Sequence, residues 1–318
     1  MTIEAVQELS SRIKSEIGKA IIGQEDTIDI LLIALLSRGH VLLEGVPGTA
    51  KTFLAQVFSE TIAFDYGRVQ FTPDLMPGDL IGTNLFSFKT GEFNLVKGPV
   101  FCDLLLADEI NRTPPKTQAA LLEAMQERQV TIDGEGFSLG RNFLVVATQN
   151  PIEQQGTYPL PEAQLDRFLF KHVLSYPSRE DELEIVKQHG AISGTPSAKS
   201  LGVKKVASKK HIDGAVEIVS QVKLTDEVIN YVVDLVRGTR TNPLFETGAS
   251  PRSAAMIASA ARSHAALNGR DFVIPDDVKA IALPALRHRA ILSPAAEIEG
   301  RSADEIINQV IEQTEAPR

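Results

Sequence analysis

The chain has 318 residues, of which 43% are hydrophobic, and a formal net charge of −9. This length suggests two domains, and the negative charge disfavours a general nucleic-acid-binding surface. Its single cysteine, Cys102, excludes an intrachain disulfide and a cysteine-based zinc site. The longest apolar run, Ile30–Leu36, is too short to cross a bilayer, and the N-terminus lacks the basic and apolar regions of a signal peptide. We therefore expect a cytoplasmic protein with no membrane insertion.

Two helices are predicted at the start of the chain. Apolar residues recur every three or four positions over Ile3–Ile17, which predicts an amphipathic helix, and a second helix is predicted over Glu25–Ser37. The apolar pair Ile21-Ile22 lies between them. Apolar residues in this position either pack on a nucleotide base or belong to the core, and periodicity alone does not distinguish the two.

A strand, a glycine-proline turn and a helix start follow, reading VLLEGVPGTAKT from Val41 to Thr52. This is the context of a phosphate-binding loop: loop N–H groups surround phosphates, Lys51 supplies a charge, and Thr52 supplies a hydroxyl for Mg²⁺. The alternative is an ordinary turn before a helix. The strict pattern has a second glycine after Gly45, and Ala50 stands in its place. Because a methyl group is tolerated there only at a negative φ, we expect a negative φ at Ala50.

Two hairpins are predicted to interrupt the strand–helix alternation. Arg68–Thr72 reads as a strand, and Pro73–Val96 then shows alternating polarity around a turn at Gly91, which predicts a hairpin insertion. Gln129–Asn142 predicts a second hairpin around Asp133–Gly136.

Two adjacent carboxylates follow a buried strand in the middle of the chain. Leu104–Ala107 is uniformly apolar, as in a parallel sheet, and ends at Asp108 and Glu109. Asp108 is a candidate for the Mg²⁺ shell, and Glu109 is a candidate to orient and deprotonate a water. Alone, such a pair is usually a solvated turn or a cap. We expect the next helix to have Thr113 as its N-cap and Pro114 as its first residue.

An amide and an arginine complete the candidate set in the first half. A buried strand over Phe143–Gln149 ends before Asn150, which places this amide at the ligand-binding edge of an open α/β sheet. The amide could position a water or touch a phosphate, or it could form the turn that Asn-Pro commonly makes. A short helix is predicted to carry Arg167, and residues 1–176 are interpreted as one domain.

The remainder, residues 177–318, is predicted to be a smaller helical domain with a loop over Gly190–Lys210. The lysines of this loop, which form a solvated face or a small anion-binding patch, are Lys204, Lys205, Lys209 and Lys210. Ser250 is predicted to cap a helix that starts at Pro251. Arg252 lies in its first turn, where a cation opposes the helix dipole, so an anionic partner such as a phosphate would compensate.

These motifs, in this order, resemble the AAA+ ATPases and, more narrowly, the MoxR family. The resemblance covers nearly the whole chain and rests on LLEGVPGTAKT, ADEINR, ATQNP, LPEAQLDRF, GASPR, GRD and LRHR. It implies an α/β fold in which a P-loop AAA+ core, a parallel sheet flanked by helices with hairpin insertions, precedes a small all-α lid domain. The alanine at position 50 is usual in this family.

The resemblance also implies cofactors and residue roles. ATP and Mg²⁺ are the expected cofactors, with Thr52 and Asp108 at the metal. The residues expected to bind the nucleotide are Ile22, Gly23, Gly45, Val46, Pro47, Gly48, Thr49, Ala50, Lys51, Thr52, Phe53 and Asp108. The expected catalytic roles are Glu109 as base, Asn150 as sensor 1, Arg167 as a finger acting on the neighbouring subunit, and Arg252 as sensor 2 reaching the nucleotide from the lid. Arg112 is a weaker intersubunit candidate, and the hairpins Leu80–Val96 and Val130–Phe143 would face the ring pore or a client.

The family further implies a ring, expected to be a hexamer, that remodels a protein client, often one with a von Willebrand factor A domain. A magnesium-chelatase-type subunit shares the architecture and remains the nearest alternative. A DNA-remodelling motor is disfavoured because the second hairpin turn carries Asp133 and Glu135. A GTPase would need an Asn-Lys-x-Asp motif, which the sequence lacks, and a non-enzymatic scaffold would lack Glu109 or Arg167.

Overall fold

The computed structural model describes residues 1–46, 48–89, 91–151, 156–190 and 197–317. The helices in these ranges are α1 (Ile3–Ile17), α2 (Glu25–Leu36), α3 (Lys51–Thr61), α4 (Pro77–Ile81), α5 (Pro115–Glu127), α6 (Glu162–Leu165), α7 (Arg179–His189), α8 (Lys209–Ser220), α9 (Asp226–Thr241), α10 (Pro251–Leu267), α11 (Pro275–Leu286), α12 (Pro294–Ile298) and α13 (Ala303–Gln313). The strands are β1 (Val41–Glu44), β2 (Tyr66–Gln70), β3 (Gly82–Ser87), β4 (Glu92–Lys97), β5 (Leu104–Asp108), β6 (Gln129–Ile132), β7 (Glu135–Ser138), β8 (Leu144–Gln149), β9 (Phe170–Val173), β10 (Phe245–Thr247) and β11 (Ile291–Leu292). None of these helices has the length and apolar character needed to span a membrane.

Five strands form one parallel sheet in the order β2-β5-β8-β1-β9. The register sets Gln70 beside Asp108 and Glu44 beside Gln149. The carboxyl ends of these strands therefore lie along one edge of the sheet, which is the edge where open α/β sheets bind ligands. The predicted parallel sheet flanked by helices is confirmed.

Both faces of this sheet are covered, which explains the continuous apolar runs of its central strands. Every residue of β5 is buried. Leu104 and Leu106 belong to a hydrophobic cluster on one face, together with residues of α1, α2 and α3. Leu105 and Ala107, which point the opposite way, belong to a cluster with residues of α5. Burial on both faces removes the polar–apolar alternation expected of a half-exposed strand.

The two predicted hairpins are confirmed. β3 pairs antiparallel with β4, and β6 pairs antiparallel with β7. The hairpins are joined by a hydrogen bond of 2.8 Å that Asn84 Nδ2 donates to Asp133 Oδ2. On the first hairpin, Phe88 is 94% exposed and Phe93 is 71% exposed. This hairpin therefore presents an apolar surface to solvent.

The predicted helical lid is confirmed, and among the described residues of the second half a short antiparallel pair, β10–β11, accompanies its helices. The helices of the second half also pack on the first, since α1 and α2 contact α8 and α10. One hydrophobic cluster runs through both halves. The boundary at residue 176 therefore stays a prediction.

Several element boundaries differ from the predicted ones. Helix α5 starts at Pro115 with Pro114 as its N-cap, one residue later than expected. The cause is steric, since a residue that precedes a proline avoids the helical region, and Pro114 precedes Pro115. Arg167 follows α6 rather than lying on it, because that helix ends at Leu165.

Within the predicted loop, residues 191–196 lie outside the described residues, and Lys209 begins α8. The ammonium of Lys209 forms ion pairs with Asp65 at 2.9 Å and Asp103 at 2.7 Å. These hydrogen bonds raise the pKa of Lys209. This lysine is therefore already paired, which argues against an anion-binding role for it.

Candidate active site

The loop between β1 and α3 turns through two left-handed residues. Gly48 has φ +87° and Ala50 has φ +58°, and α3 begins at the next residue, Lys51. The predicted negative φ of Ala50 is wrong. The left-handed conformation costs a non-glycine residue about 1–2 kcal/mol. Pro47 lies outside the described residues.

The ammonium of Lys51 is held inside this loop. Its Nζ donates hydrogen bonds to the carbonyl oxygens of Gly45 and Val46, the latter at 3.1 Å. Burial lowers the pKa of Lys51, and the nearby carboxylates of Asp108 and Glu109 act in the opposite direction. A lysine in this position offers a positive charge at the N-terminus of α3, where the helix dipole also favours an anion.

Asp108, the last residue of β5, receives hydrogen bonds from three side chains. Thr148 Oγ1 donates to its Oδ1 at 2.6 Å. Thr52 Oγ1 and Arg68 Nη2 donate to its Oδ2 at 3.2 and 2.9 Å. The residue is only 7% exposed, so these donors offset the cost of burying a carboxylate.

Glu109 occupies a strained backbone conformation directly after the strand. Its φ is +57° and ψ is +50°, and its N–H donates to Thr148 Oγ1 at 2.9 Å. Its carboxylate accepts a hydrogen bond from Gln70 Nε2 at 2.7 Å and pairs with Arg112 Nε at 3.1 Å. Left-handed non-glycine residues cost about 1–3 kcal/mol and concentrate at functional sites. Glu109 therefore carries local backbone strain at the carboxyl end of β5, where Gln70 and Arg112 hold its carboxylate.

These side chains line one cavity of about 420 Å³ at the carboxyl edge of the sheet. The described residues that line it are Gly48, Thr49, Ala50, Lys51, Thr52, Phe53, Arg68, Gln70, Asp108, Glu109, Thr148, Gln149 and Asn150. The structure therefore brings together the predicted lysine, hydroxyl, acid pair and amide. We call this space the phosphate cavity.

A second cavity of about 300 Å³, which is mostly apolar, adjoins the first and shares Gly48, Thr49, Ala50 and Phe53 with it. Its other lining residues are Ala20, Ile21, Ile22, Gln24, Pro177 and Ile185. The predicted residue Ile22 therefore lies at this cavity. Gly23 is not among the described lining residues, although both of its neighbours are. We call this space the apolar cavity.

Arg167 and Arg252 line a different cleft, of about 320 Å³. The described residues that line this arginine cleft include Arg38, Arg128, Arg167 and Arg252 and no carboxylate. Arg252 follows Pro251 in the first turn of α10, as predicted. Arg252 is not among the described residues that line the phosphate cavity, so its expected contact with the nucleotide stays a prediction.

A buried ion pair fixes the turn that carries Arg167. Arg289, only 7% exposed, pairs with Asp166 at 2.7 Å and donates to the carbonyl oxygens of Phe168 and Leu169 at 2.6 and 3.2 Å. Burial lowers the pKa of Arg289, and Asp166 opposes that shift. The residue before Arg167 is thus tied to the segment that follows α11.

The chain is similar to known proteins over nearly its whole length. Residues 40–170 match the family described as ATPase family associated with various cellular activities (AAA), and residues 237–310 match the AAA lid domain. The chain is 44% identical to Chaperone MoxR1 of Mycobacterium tuberculosis, over 95% of this chain and 81% of that protein. It is 42% identical to YeaC of Bacillus subtilis, over 99% and 97%. The chain belongs to the MoxR family of AAA+ ATPases.

A solved structure agrees with this assignment. The crystal structure of a protein described as an ATPase from Cytophaga hutchinsonii superposes with a TM-score of 0.91 at 40% identity, covering 99% of this chain and 97% of that one. The predicted resemblance to the MoxR family is therefore confirmed. Membership of the family implies nucleotide binding and assigns the lid to the second half of the chain.

The donor set at the phosphate cavity fits Mg²⁺. The hydroxyl of Thr52 and the carboxylate of Asp108 are oxygen donors 3.2 Å apart, and Mg²⁺ prefers oxygen ligands. Within the described ranges, no group of three or more His, Cys, Asp or Glu side chains is placed to hold a metal. Mg²⁺ is usually bound by one or two protein oxygens plus substrate phosphates, so these two residues suffice.

Sequence reasoning missed four residues of this MoxR-family site. Arg68 and Gln70 hold the two carboxylates, Thr148 bridges Asp108 to the Glu109 backbone, and Arg289 holds the turn before Arg167. The sequence did indicate Arg68 and Gln70, because two polar residues that lie two positions apart on a strand share one face of the sheet. Thr148 and Arg289 stand in the motifs ATQNP and LRHR, which carried the resemblance but gave neither residue a role.

Proposed function

We propose that this MoxR-family protein hydrolyses ATP with Mg²⁺ as a ring of identical subunits, and that the ring remodels a protein client. The observation that carries the proposal is the convergence of Lys51, Thr52, Asp108 and Glu109 on the phosphate cavity. A cation, a hydroxyl and two carboxylates at the start of a helix are the groups that phosphoryl transfer from a nucleotide requires.

The two adjoining cavities support the way in which ATP would bind. The apolar cavity, with Ile22 and Phe53, suits a nucleobase, and the phosphate cavity suits the charged end. Loop N–H groups from Gly48 to Lys51, at the N-terminus of α3, would bind the phosphate oxygens. Lys51 would exchange its carbonyl partners for phosphate oxygens, which attract an ammonium more strongly.

Asp108 and Glu109 would have different tasks in the reaction. Thr52 and Asp108 would hold Mg²⁺, which when bound supplies charge neutralisation at the phosphates. Glu109 would accept a proton from the attacking water as the water oxygen bonds to the γ-phosphorus. The bond from that phosphorus to the β–γ bridging oxygen breaks, and ADP leaves. Asn150, at the end of β8, would orient the water or the γ-phosphate.

The arginine cleft supports assembly into a ring, which we propose to be a hexamer. Arg167 and Arg252 line this cleft rather than the phosphate cavity of their own chain. No carboxylate is among the described residues that line this cleft, so its two cations suit an anion supplied from outside the chain. In a head-to-tail ring, each subunit would present both arginines to the nucleotide of its neighbour. In related phosphoryl-transfer enzymes such a finger accounts for roughly 10³–10⁵ in rate.

A protein client is favoured over nucleic acid. The relative at 44% identity is named a chaperone, and the net charge of −9 opposes a polyanion. The hairpin β3–β4 exposes Phe88 and Phe93, which suits contact with a polypeptide. We propose a client with a von Willebrand factor A domain, which is the usual partner class implied by the family.

Steady-state ATP hydrolysis across a range of protein concentrations tests this function. We expect specific activity to rise steeply with concentration as rings form. Glu109→Gln and Arg167→Ala should each lose activity by about 10³-fold or more while retaining ATP binding. Lys51→Ala serves as the comparison, because it should lose binding as well. A wild-type protein that binds ATP and never hydrolyses it would contradict the proposal.

A further inference from the structure

Arg68 is a cation of the phosphate cavity that the proposed mechanism does not use. It lies on β2, the edge strand of the sheet, in register beside Leu106. Val69 is buried, whereas Arg68 and Gln70 are exposed on the opposite face of the strand. The Arg68 guanidinium lies 2.9 Å from Oδ2 of Asp108, and 49% of its side chain is exposed. About half of the Arg68 side chain is therefore exposed to solvent, while its guanidinium contacts Asp108, the carboxylate expected to hold Mg²⁺.

The hydrogen bonds of Asp108 show what this arginine contributes. Thr148 donates to Oδ1, while Thr52 and Arg68 both donate to Oδ2. Two of these three donors are neutral hydroxyls, so Arg68 supplies the one full positive charge among them. Such a charge matters for a carboxylate that is 7% exposed, because an unpaired buried charge is costly.

Mg²⁺ would draw on the same carboxylate. Thr52, the other expected metal-holding residue, already points at Oδ2, the oxygen that Arg68 contacts. Two cations that share one carboxylate oxygen repel each other. We propose that Arg68 competes with Mg²⁺ for Asp108 and thereby sets the Mg²⁺ concentration at which the site binds nucleotide in its metal-bound form. This inference rests on the proposed function.

The competition has opposite consequences with and without the metal. When Mg²⁺ is withheld, Arg68 neutralises Asp108, so the phosphates of a nucleotide meet less repulsion. When Mg²⁺ is supplied, the ion must displace the guanidinium, which raises the Mg²⁺ concentration needed. Removing Arg68 should therefore weaken nucleotide binding in the absence of Mg²⁺ and make the site respond to less Mg²⁺.

The test compares the wild type with Arg68→Ala and Arg68→Lys, using the fluorescence of a slowly hydrolysed ATP analogue. Affinity is measured in a chelator, in saturating Mg²⁺ and through a Mg²⁺ titration. Arg237→Ala, which removes an exposed arginine from α9, is the control for a change in net charge. For Arg68→Ala we expect the nucleotide to bind about fivefold more weakly in the presence of chelator. The Mg²⁺ concentration that gives half of the full effect should fall about fivefold. Both changes are on the scale of a partly exposed ion pair. Binding in saturating Mg²⁺ should change little, and Arg68→Lys should lie closer to the wild type.

Other outcomes overturn the inference. An equal loss of affinity with and without Mg²⁺, at an unchanged half-saturating concentration, would make Arg68 a plain phosphate-binding residue. Unchanged binding with a lowered melting temperature would make it a structural clasp between β2 and β5. A wild type that binds no nucleotide under either condition would overturn this inference and the proposed function together, whereas the first two outcomes leave the proposed function intact.

Discussion

The hydroxyl of Thr52 lies 3.2 Å from Oδ2 of Asp108, although 56 residues separate the two along the chain. The sheet order places β8 between β1, which leads to the loop of Thr52, and β5, which ends at Asp108. Thr148 of β8 bonds to the same carboxylate at 2.6 Å. Three strands therefore converge on a single acid, and the site depends on their order in the sheet.

Thr148→Val should impair catalysis without abolishing nucleotide binding. The valine keeps the shape but leaves Asp108 Oδ1 and the Glu109 N–H without the hydroxyl that they share. We expect an about 10–100-fold drop in kcat, the usual effect of losing a supporting partner of a metal ligand. Thr148→Ser retains the hydroxyl and is the matched control. Comparable rates for the serine and valine variants would contradict this role.

Ala50→Gly should stabilise the protein or leave its stability unchanged. Ala50 has φ +58°, a conformation that glycine adopts without strain. We expect a gain of up to about 1 kcal/mol in the free energy of unfolding, partly offset by the freedom of glycine in the unfolded chain. Ala55→Gly, inside α3, is the control and should cost about 1 kcal/mol. Chemical denaturation measures both, and a larger loss for Ala50→Gly than for Ala55→Gly would refute the assigned strain.

Stability should fall as the pH drops below about 6.5. Burial lowers the pKa of His40 to about 3, and the positive charge of Arg128 acts in the same direction. Its Nδ1 accepts a hydrogen bond from the Val145 N–H at 3.0 Å. The imidazole of His40 takes up a proton near pH 6.5 in the unfolded chain and only near pH 3 in the folded chain. Between these two pH values the unfolded state therefore binds more protons than the folded state. Stability from this group is complete above pH 6.5 and declines by about 1.4 kcal/mol per pH unit below it.

Burial also lowers the pKa of His172 to about 4 and that of His288 well below its usual value. The three histidines act in the same direction. Urea denaturation from pH 7 to pH 5 should therefore show a steep loss of stability, and His40→Gln should reduce its slope by one proton. A flat profile over this range would contradict the neutral, buried assignment of His40.

Arg289→Met should destabilise the protein and reduce ATP hydrolysis more than ATP binding. The change leaves Asp166 without its buried partner and frees the turn before Arg167. Breaking a buried ion pair costs about 3 kcal/mol or more. Arg301→Met, which removes an exposed pair with Glu305 at 3.7 Å, should cost less than about 1 kcal/mol. Thermal unfolding and ATPase rates measure the two effects, and similar losses in the two variants would argue against the role of Arg289.

The sequence predicted those parts of the site that depend on local pattern. The loop of Lys51, the acids after β5 and the amide after β8 all follow short motifs whose strand context is visible along the chain. Parallel-strand geometry then brings their ends to one edge. The contact between Arg68 and Asp108 needs the additional fact that β2 is the neighbour of β5, and nothing in either segment specifies that pairing.

The position of Arg252 could not be predicted for a related reason. Its local context, the first turn of α10, was predicted and confirmed. The cleft that it lines depends on how α10 packs against α1 and α2, which come from the opposite end of the chain. Long-range packing of this kind leaves no periodic signal around residue 252, so the sequence did not predict the cleft that Arg252 lines.

A mixing experiment with Glu109→Gln and Arg167→Ala subunits tests the central claim, that each nucleotide site is completed by the neighbouring subunit. Each variant alone should be inactive, since one lacks its base and the other lacks its finger. In a mixed ring, an Arg167→Ala subunit keeps its own base and receives a finger from a Glu109→Gln neighbour. At equal amounts, random assembly predicts about one quarter of the wild-type rate per subunit in a head-to-tail ring. As a control, each variant is mixed with wild-type subunits to show that mixed rings form. If mixed rings form and the mixture of the two variants stays inactive, the result contradicts the account.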